Sequence, residues 1–357
     1  MRVLHYVEHW LELSAGFVHA QVTRSRVPKV VVSHNAFENL ASFPVRPLFH
    51  LDRVADLVPR RRWPAIRTTA LRGIATAYRA DVVHVHFGYV VRDVLPIVDA
   101  RRPLVLSLHG DDALALPRRQ PGHYEPVVDA VSAVVVPSRF LADTAADLGF
   151  ARDRIHVIPS GIDTQFFTPS QVPTEPVVVF VGRLVEKKGV DTLLAAWPRI
   201  RASVPGARLR ILGAGPLASL IPTADSSIEH VTPDAQRRAE QVRDVIMSAK
   251  VVTTPSRTTG SGDAESLLLV NLEAQASGRP VVTTDHGGIA DFVGRDESAL
   301  VVHENDSEAL TQAIVSVLSS DDLARRLGSA GPAVARRFDV ADCAKRVDNL
   351  YASLRKR

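Results

Sequence analysis

Twice along the chain, short apolar runs rich in Val and Ile alternate with stretches of helical period. In the first half the runs are RVLHYV, KVVVSH, DVVHVHF, PLVLSLHG, AVVVPS and IHVIPSG. In the second they are VVVFVG, LRILGAG, IEHV, AKVVTTPS, RPVVTTDHGG and SALVVH. Runs this continuous in hydrophobicity are what a strand needs when both of its faces are covered, as in a parallel sheet sandwiched between helices. Helical signals lie between them. PSRFLADTAADLGF carries Ser138 as an N-cap and Gly149 as a stop. The chain therefore reads as α/β, with two doubly wound domains in tandem.

The segment PSGIDTQFFTPSQVPTEP, residues 159–176, interrupts the alternation with Pro159, Pro169, Pro173 and Pro176. It reads as an interdomain linker. The expected division is residues 1–165, residues 166–339, and a last helix over 340–357 that folds back over the first domain. A length of 357 residues agrees with two cores rather than one. Ligands of such sheets bind outside the carboxyl ends of the strands, so a cleft between the domains is the expected site.

Composition narrows the class. No run of about 18 apolar residues is present, and His and Glu interrupt the first 16 residues, so neither a membrane-spanning helix nor a signal peptide is expected. Cys343 is the lone cysteine, which excludes a disulfide framework and a thiolate zinc site and suits a cytoplasmic protein. The net charge of +4 is unevenly spread: residues 1–165 carry 20 Lys and Arg against 16 Asp and Glu, and the remainder carries 23 of each. Arg60, Arg61, Arg62, Arg67 and Arg72 lie with Trp63, Ile66 and Leu71 in residues 59–79. This reads either as a basic amphipathic helix for an anionic membrane surface or as a solvated helix face with Trp63 turned inward. No nucleic-acid module is visible.

Two stretches carry chemistry. In VFVGRLVEKKGVDTLLAAW, residues 179–197, Arg183, Lys187 and Lys188 stand at a strand-to-helix turn, where the free N–H groups and dipole of the helix already favour an anion. In GDAESLLLVNLEAQASGRPVVTTDHGGIADFV, Glu265 is expected at the entrance of a buried helix, with Glu273 about 12 Å further along its axis and Gly278 as its stop. Glycosidase carboxylates stand about 5–9.5 Å apart, so this spacing suits two grips on one elongated ligand. His286 with Gly287 and Gly288 forms a tight turn where backbone can approach an anion, or else only a strand-to-helix bend. ILGAGPLA matches a dinucleotide fingerprint weakly, because it lies on the second strand of its domain. His84 and His86 share one strand face and would suit a metal pair, but no third ligand is apparent; His86 is the one expected to face the cleft, near an acceptor.

These stretches, in this order, resemble the carboxy-terminal domain of the retaining GT-B glycosyltransferases of family four. VHVHFG, LSLHGDD, VVVPSRFLADTAADLGF and IHVIPSGIDTQFF resemble its amino-terminal domain. The resemblance is greatest to members that build exopolysaccharide or capsule. It implies a GT-B fold and transfer of a sugar from a nucleotide-diphosphate donor to a saccharide or polyprenyl-linked acceptor, with no metal and no cofactor beyond the donor. Arg183 and Lys188 would hold the diphosphate, Glu265 the donor sugar and Glu273 the ribose. The amides of Ser266 and Leu267 would face the phosphate, and His109 would approach the sugar from the other domain. Gly182, Gly213 and Gly215 would line the nucleotide pocket, and Gly16 is counted with them. The sequence departs from the family at residues 13–17, LSAGF, where an acidic acceptor-side residue is usual, at Leu267 and Leu268 after Ser266, and in HVTPDAQ, which lacks a common Gly. Acceptor and base are thereby left open. An isomerase acting on a sugar nucleotide, or a non-catalytic protein that binds one, are the alternatives.

Overall fold

The computed structural model describes residues 1–11, 15–34, 40–51, 59–234 and 238–355, and its chain forms two units. Met1–Gly161 joins Val340–Arg357 in the first, and Ile162–Asp339 is the second.

The first unit is built on a seven-stranded parallel sheet: β1 (Val3–Val7), β2 (Lys29–Ser33), β3 (Leu48–His50), β4 (Val82–His86), β5 (Leu104–Ser107), β6 (Val131–Val136) and β7 (Ile155–Val157). The spatial order is β3-β2-β1-β4-β5-β6-β7, so the winding reverses between β1 and β4. Helices α1 (Gly16–Arg24), α2 (Trp63–Ala77), α3 (Asp111–Leu114), α4 (Leu116–Arg119) and α5 (Arg139–Asp147) connect the strands. Ser138 caps α5, its side chain accepting from the Leu141 amide, and Gly149 beyond the helix takes φ +98°. Strand β3 has no counterpart among the six expected runs. It is three residues long and partly exposed, so it never forms the apolar run by which a covered strand is recognised.

The second unit carries six parallel strands: β8 (Val177–Val181), β9 (Arg208–Leu212), β10 (Ile228–Val231), β11 (Val251–Thr254), β12 (Val281–Asp285) and β13 (Ala299–His303). Their order is β10-β9-β8-β11-β12-β13, with the reversal between β8 and β11. Helices α6 (Val190–Ser203), α7 (Arg238–Met247), α8 (Leu269–Ala276), α9 (Ser307–Ser319) and α10 (Asp321–Arg336) cover the sheet. Two separate cores result. Trp197, Phe180 and Leu193 centre one, and Leu272, Ile246 and Phe292 belong to the other. Burial on both faces is the reason Val177–Val181 is apolar without alternation.

Helix α11 (Val340–Leu354) belongs to the first unit. Its Val347, Leu350 and Tyr351 pack with Val3, Val82 and Val105. Asp348 accepts from Ser25 Oγ at 2.6 Å and from the Arg26 amide at 2.9 Å.

Candidate functional site

At the switch point of the second sheet, the exits of β8 and β11 are pressed together. Gly189 is the left-handed residue (φ +67°) that ends the 3-10 turn Glu186–Lys188 and opens α6. A Cβ there would stand 1.8 Å from Pro255 O, so the glycine is what lets the β8 exit lie against the β11 exit. No side chain caps the first turn of α6, and none caps α8. Both helix N-termini therefore keep N–H groups that a bound anion can use.

That close approach delivers the lysines to the carboxylates. Lys188 Nζ stands 2.9 Å from Glu265 Oε1, and Lys187 Nζ stands 3.0 Å from Asp263 Oδ2 and 4.0 Å from Glu265 Oε1. The Lys188–Glu265 contact is close but poorly aligned as a hydrogen bond, so Oε1 is held by charge rather than by a directed donor. Glu265 is 6 % exposed. Burial pushes its carboxyl up, but Lys188, Lys187 and Arg183 outweigh burial and the net shift is downward. Burial likewise lowers the Lys188 ammonium against the opposing pull of Glu265. Arg183 is exposed and, among the described residues, forms no ion pair. The site thus holds two lysines already committed to carboxylates and one arginine available for an incoming anion.

The structure corrects the expected position of Glu265. Helix α8 begins at Leu269 with Leu268 as its N-cap, and residues 263–268 run as irregular backbone. Glu265 is therefore outside the helix, and the 12 Å helical spacing to Glu273 does not apply. What holds Glu265 is the turn after β12. Its amide donates to His286 Nε2 at 2.9 Å, and its carbonyl accepts from the Gly288 amide at 2.9 Å. Because Nε2 accepts, His286 carries its proton on Nδ1, which faces Thr258 Oγ1 at 3.2 Å and Glu304 Oε2 at 3.3 Å. Burial lowers the imidazole despite Glu304 and Glu265, which suits this neutral form. Ser266 is buried and Leu267 partly so on the way into α8.

Glu273 lies within α8, where burial raises its carboxyl from the ordinary 4.5 to about 7 against the pull of Arg238. Between those two values the folded chain keeps a proton that the unfolded chain releases, so stability falls as pH rises through the window. Glu273→Gln removes that loss. The variant is expected to be more stable than the parent at pH 8, by up to about 3 kcal/mol, and no more stable at pH 4. Urea titrations at the two pH values check this, and an equal difference at both would contradict it.

The remaining residues of the second unit sit at neighbouring strand exits. The Gly182 amide donates to Leu212 O at 3.1 Å and the Leu184 amide to Ala214 O at 2.8 Å, which ties the loop of Gly213 and Gly215 to the Arg183 loop. Two cations were missed in the sequence. Arg238 of α7 interacts electrostatically with Glu273 and Arg183. Arg257 reaches Asp191 Oδ2 at 2.8 Å and Thr192 Oγ1 at 3.0 Å, in the first turn of α6. Local sequence gives no signal of either placement, since each depends on packing between elements far apart in the chain.

In the first unit, Gly16 opens α1, which also lacks a side-chain cap, and residues 13 and 14 of LSAGF lie outside the described residues. His109 follows β5, its ring walled by Phe87 at 4.5 Å, Phe17 at 5.0 Å and a parallel His86 at 6.1 Å. Burial lowers His109 to about 3, so its imidazole is neutral. His86 does not face an opening: it is fully buried, as is His84. The third histidine that the sequence did not reveal is His5, whose Nδ1 stands 3.0 Å from His86 Nε2 across the β1–β4 pairing. Among the described residues His5, His84 and His86 could together hold a metal ion. Both nitrogens of His84 are already engaged, with Tyr351 Oη and with Ser107 Oγ. His84 thus ties β4 to β5 and α11, and the His5–His86 contact ties β1 to β4, while His5 Nε2 and His86 Nδ1 have no hydrogen-bond partner among the described residues.

The basic segment is divided. Arg67 pairs with Asp93 at 2.5 Å in a part-buried site, whereas Arg72 is exposed and donates to Pro96 O at 3.0 Å, so both are tied to the unit's own surface elements. Arg61 and Arg62 are exposed, and Trp63 is half-buried. Among the described residues no helix is long and apolar enough to cross a membrane.

Comparison with known proteins gives matches to both units. The family described as Glycosyl transferases group 1 matches residues 175–320, and Glycosyltransferase Family 4 matches residues 50–166. The chain is 32% identical over 266 residues to the putative colanic acid biosynthesis glycosyltransferase WcaL of Escherichia coli, spanning 70% of this chain and 65% of that one. It is 30% identical over 323 residues to the D-inositol 3-phosphate glycosyltransferase of Xylanimonas cellulosilytica, spanning 78% and 73%. The chain therefore covers about two thirds of the length of the first and somewhat more of the second. HepE of Anabaena, solved in complex with UDP, superposes with a TM-score of 0.77 at 17% identity over 99% of this chain and 100% of that one. At that identity the likeness shows the fold, two doubly wound sheets of the GT-B kind.

Proposed function

Because the chain belongs to the group 1 glycosyltransferases of family 4, we propose that it transfers a sugar, with retention of configuration, from a nucleotide-diphosphate donor to a saccharide or lipid-linked acceptor in polysaccharide or glycoconjugate synthesis. The observation that carries this reading is the Lys188–Glu265 pair set between two uncapped helix N-termini, with Arg183 exposed beside it. Breaking the sugar–phosphate bond sends its electron pair to the leaving diphosphate. Fixed cations and helix N–H groups stabilise that charge more than they stabilise the intact donor, which is what lowers the barrier.

The assigned roles carry over the family resemblance and are supported by position. Arg183 and Lys188 hold the diphosphate, and Lys188 exchanges part of its contact with Glu265 for the phosphate. Glu265, its backbone fixed by His286 and Gly288, accepts from hydroxyls of the donor sugar. Glu273 accepts from the ribose, and Arg238 beside it limits the cost of its charge. The amides of Ser266 and Leu267, with Gly182, Gly213 and Gly215, offer backbone to the nucleotide. Gly16, opening α1, offers backbone in the first unit. His109 serves the transferred sugar as a neutral hydrogen-bonding group. No cofactor beyond the donor enters this reading. The test is incubation with a panel of UDP- and GDP-sugars and with saccharide or polyprenyl-linked acceptors. Glycoside formed with retained configuration supports the proposal. An epimerised sugar nucleotide with no glycoside, or binding without turnover, would overturn it.

A cytoplasmic enzyme with a polyprenyl-linked acceptor works at the inner membrane face. Arg61 and Arg62, beside half-buried Trp63, are the residues suited to hold it there. Each cation near an anionic bilayer contributes about 1 kcal/mol, so binding is expected to be reversible and lost at high salt. Co-sedimentation with anionic liposomes should fall roughly tenfold or more in Arg61→Glu/Arg62→Glu. Equal binding by variant and parent would leave these arginines as an ordinary solvated turn.

A further inference from the structure

The loops that follow β4 and β5 meet at one buried carboxylate. Asp112 is fully buried, and its two oxygens accept three backbone N–H groups from two separate segments. Oδ1 accepts from His109 and from Gly110, each at 2.9 Å, and Oδ2 accepts from Gly88 at 3.0 Å. The Asp112 side chain thus lies between the exit of β5, which carries His109, and the exit of β4, which carries Phe87. Both exits have backbone that needs holding. Phe87 is a non-glycine residue at φ 68°, and Gly110 is at φ 152°. A bulky residue at positive φ is strained and persists only where its surroundings over-determine it. Here that conformation turns the Phe87 ring onto His109, with 4.5 Å between centroids.

We propose that Asp112 is a positioning residue for glycosyl transfer: it clamps the β4 and β5 exits so that His109, flanked by Phe87 and Phe17, is held in one orientation. The carboxylate touches neither donor nor acceptor and acts through the backbone. It has the right chemistry for a clamp, because an ionised carboxylate is a pure acceptor with room for all three donors, and charge-assisted bonds to N–H are the strong ones. No neutral side chain of that size offers two oxygens without a proton between them. An Asn can keep Oδ1 on His109 and Gly110, but it turns an NH₂ donor toward the Gly88 N–H. The diphosphate-binding cations all lie in the second unit, so loosening this clamp falls on the transfer step more than on donor affinity. The inference rests on the reading that His109 serves the sugar.

The experiment uses the full chain as Asp112→Asn, His109→Ala and the double variant, with kcat and donor KM measured alongside amide hydrogen exchange. Asp112→Asn is expected to lower kcat about 10- to 100-fold, as misplacement of a working group by about an ångström does, with donor KM within twofold of the parent. If Asp112 acts through His109, the double variant loses no more than His109→Ala alone. Multiplied losses, or normal turnover in Asp112→Asn while His109→Ala is impaired, would overturn the proposal. The exchange measurement does not depend on turnover. The amides of Gly88, His109 and Gly110 should be protected in the parent and exposed in Asp112→Asn. Should His109→Ala keep full activity, the sugar role of His109 fails, and with it the functional half of the inference, whereas lost protection would still identify the clamp. If Asp112→Asn does not fold, the parent alone decides: exchange of these three amides at the rates of open loops would overturn the clamp.

Discussion

Lys188→Ala and Arg183→Ala are each expected to cut turnover by about 10²- to 10³-fold, the usual loss when one preorganised donor to a developing anion is removed. Their effects on stability should part company. Lys188 lies 2.9 Å from a carboxylate that is 6 % exposed, so removing it strands a buried charge. Breaking such a pair typically costs about 3–5 kcal/mol. Arg183 is exposed, and its loss should leave the melting temperature unchanged. Adding Glu265→Gln to Lys188→Ala should recover much of the stability and none of the turnover. Thermal melts and steady-state rates on the four proteins check both halves. Near-normal turnover in well-folded Arg183→Ala and Lys188→Ala would remove the diphosphate assignment. A stable Lys188→Ala would show that Glu265 finds other support.

A second large loss is expected at a residue with no charge. Gly287 takes φ +53°, and a Cβ on it would stand 2.1 Å from Glu265 O. The obstacle is backbone, so it cannot swing aside as a side chain does. Gly287→Ala must therefore displace either the turn after β12 or the backbone of Glu265, and the Gly288 N–H to Glu265 O bond with it. Since a shift of about an ångström at a reacting group can cost about 10² in rate, turnover should fall by roughly that factor. His286→Ala loses the acceptor for the Glu265 amide without the collision and is expected to fall less. A Gly287→Ala enzyme with parental kcat would mean that Glu265 tolerates displacement and is not a close contact of the sugar.

What the sequence made legible is what is periodic or concentrated. Covered parallel strands need unbroken Val and Ile, so twelve of the thirteen strands stand out as apolar runs, while the short, partly exposed Leu48–His50 does not. The cations at the β8 exit are legible because they crowd one turn. The helical assignment of Glu265 failed for a physical reason: Ser266, Leu267 and Leu268 have the composition of a buried helix, but the Glu265 amide is claimed by His286, 21 residues away, and the chain stays irregular until Leu269. Partners brought together by sheet order are equally hidden. His5 meets His86 because β1 pairs with β4, and Arg238 reaches the neighbourhood of Glu273 through packing of α7 and α8, which no local spacing encodes. Asp112 reads as one more acid in HGDD until its three amide donors are seen.

The return of α11 to the first unit has a consequence for the order in which the chain can be completed on the ribosome. Residues Met1–Gly161 leave the exit tunnel before the second unit, yet the core around Val3, Val82 and Val105 is closed by Val347, Leu350 and Tyr351, which leave it after that unit. The second unit, Ile162–Asp339, has all of its strands and helices in one uninterrupted stretch and can fold as soon as that stretch emerges. The half made first is thus finished last. Until Val340–Leu354 arrives, the first unit waits with His84 lacking its Tyr351 partner and with an apolar strip of sheet uncovered.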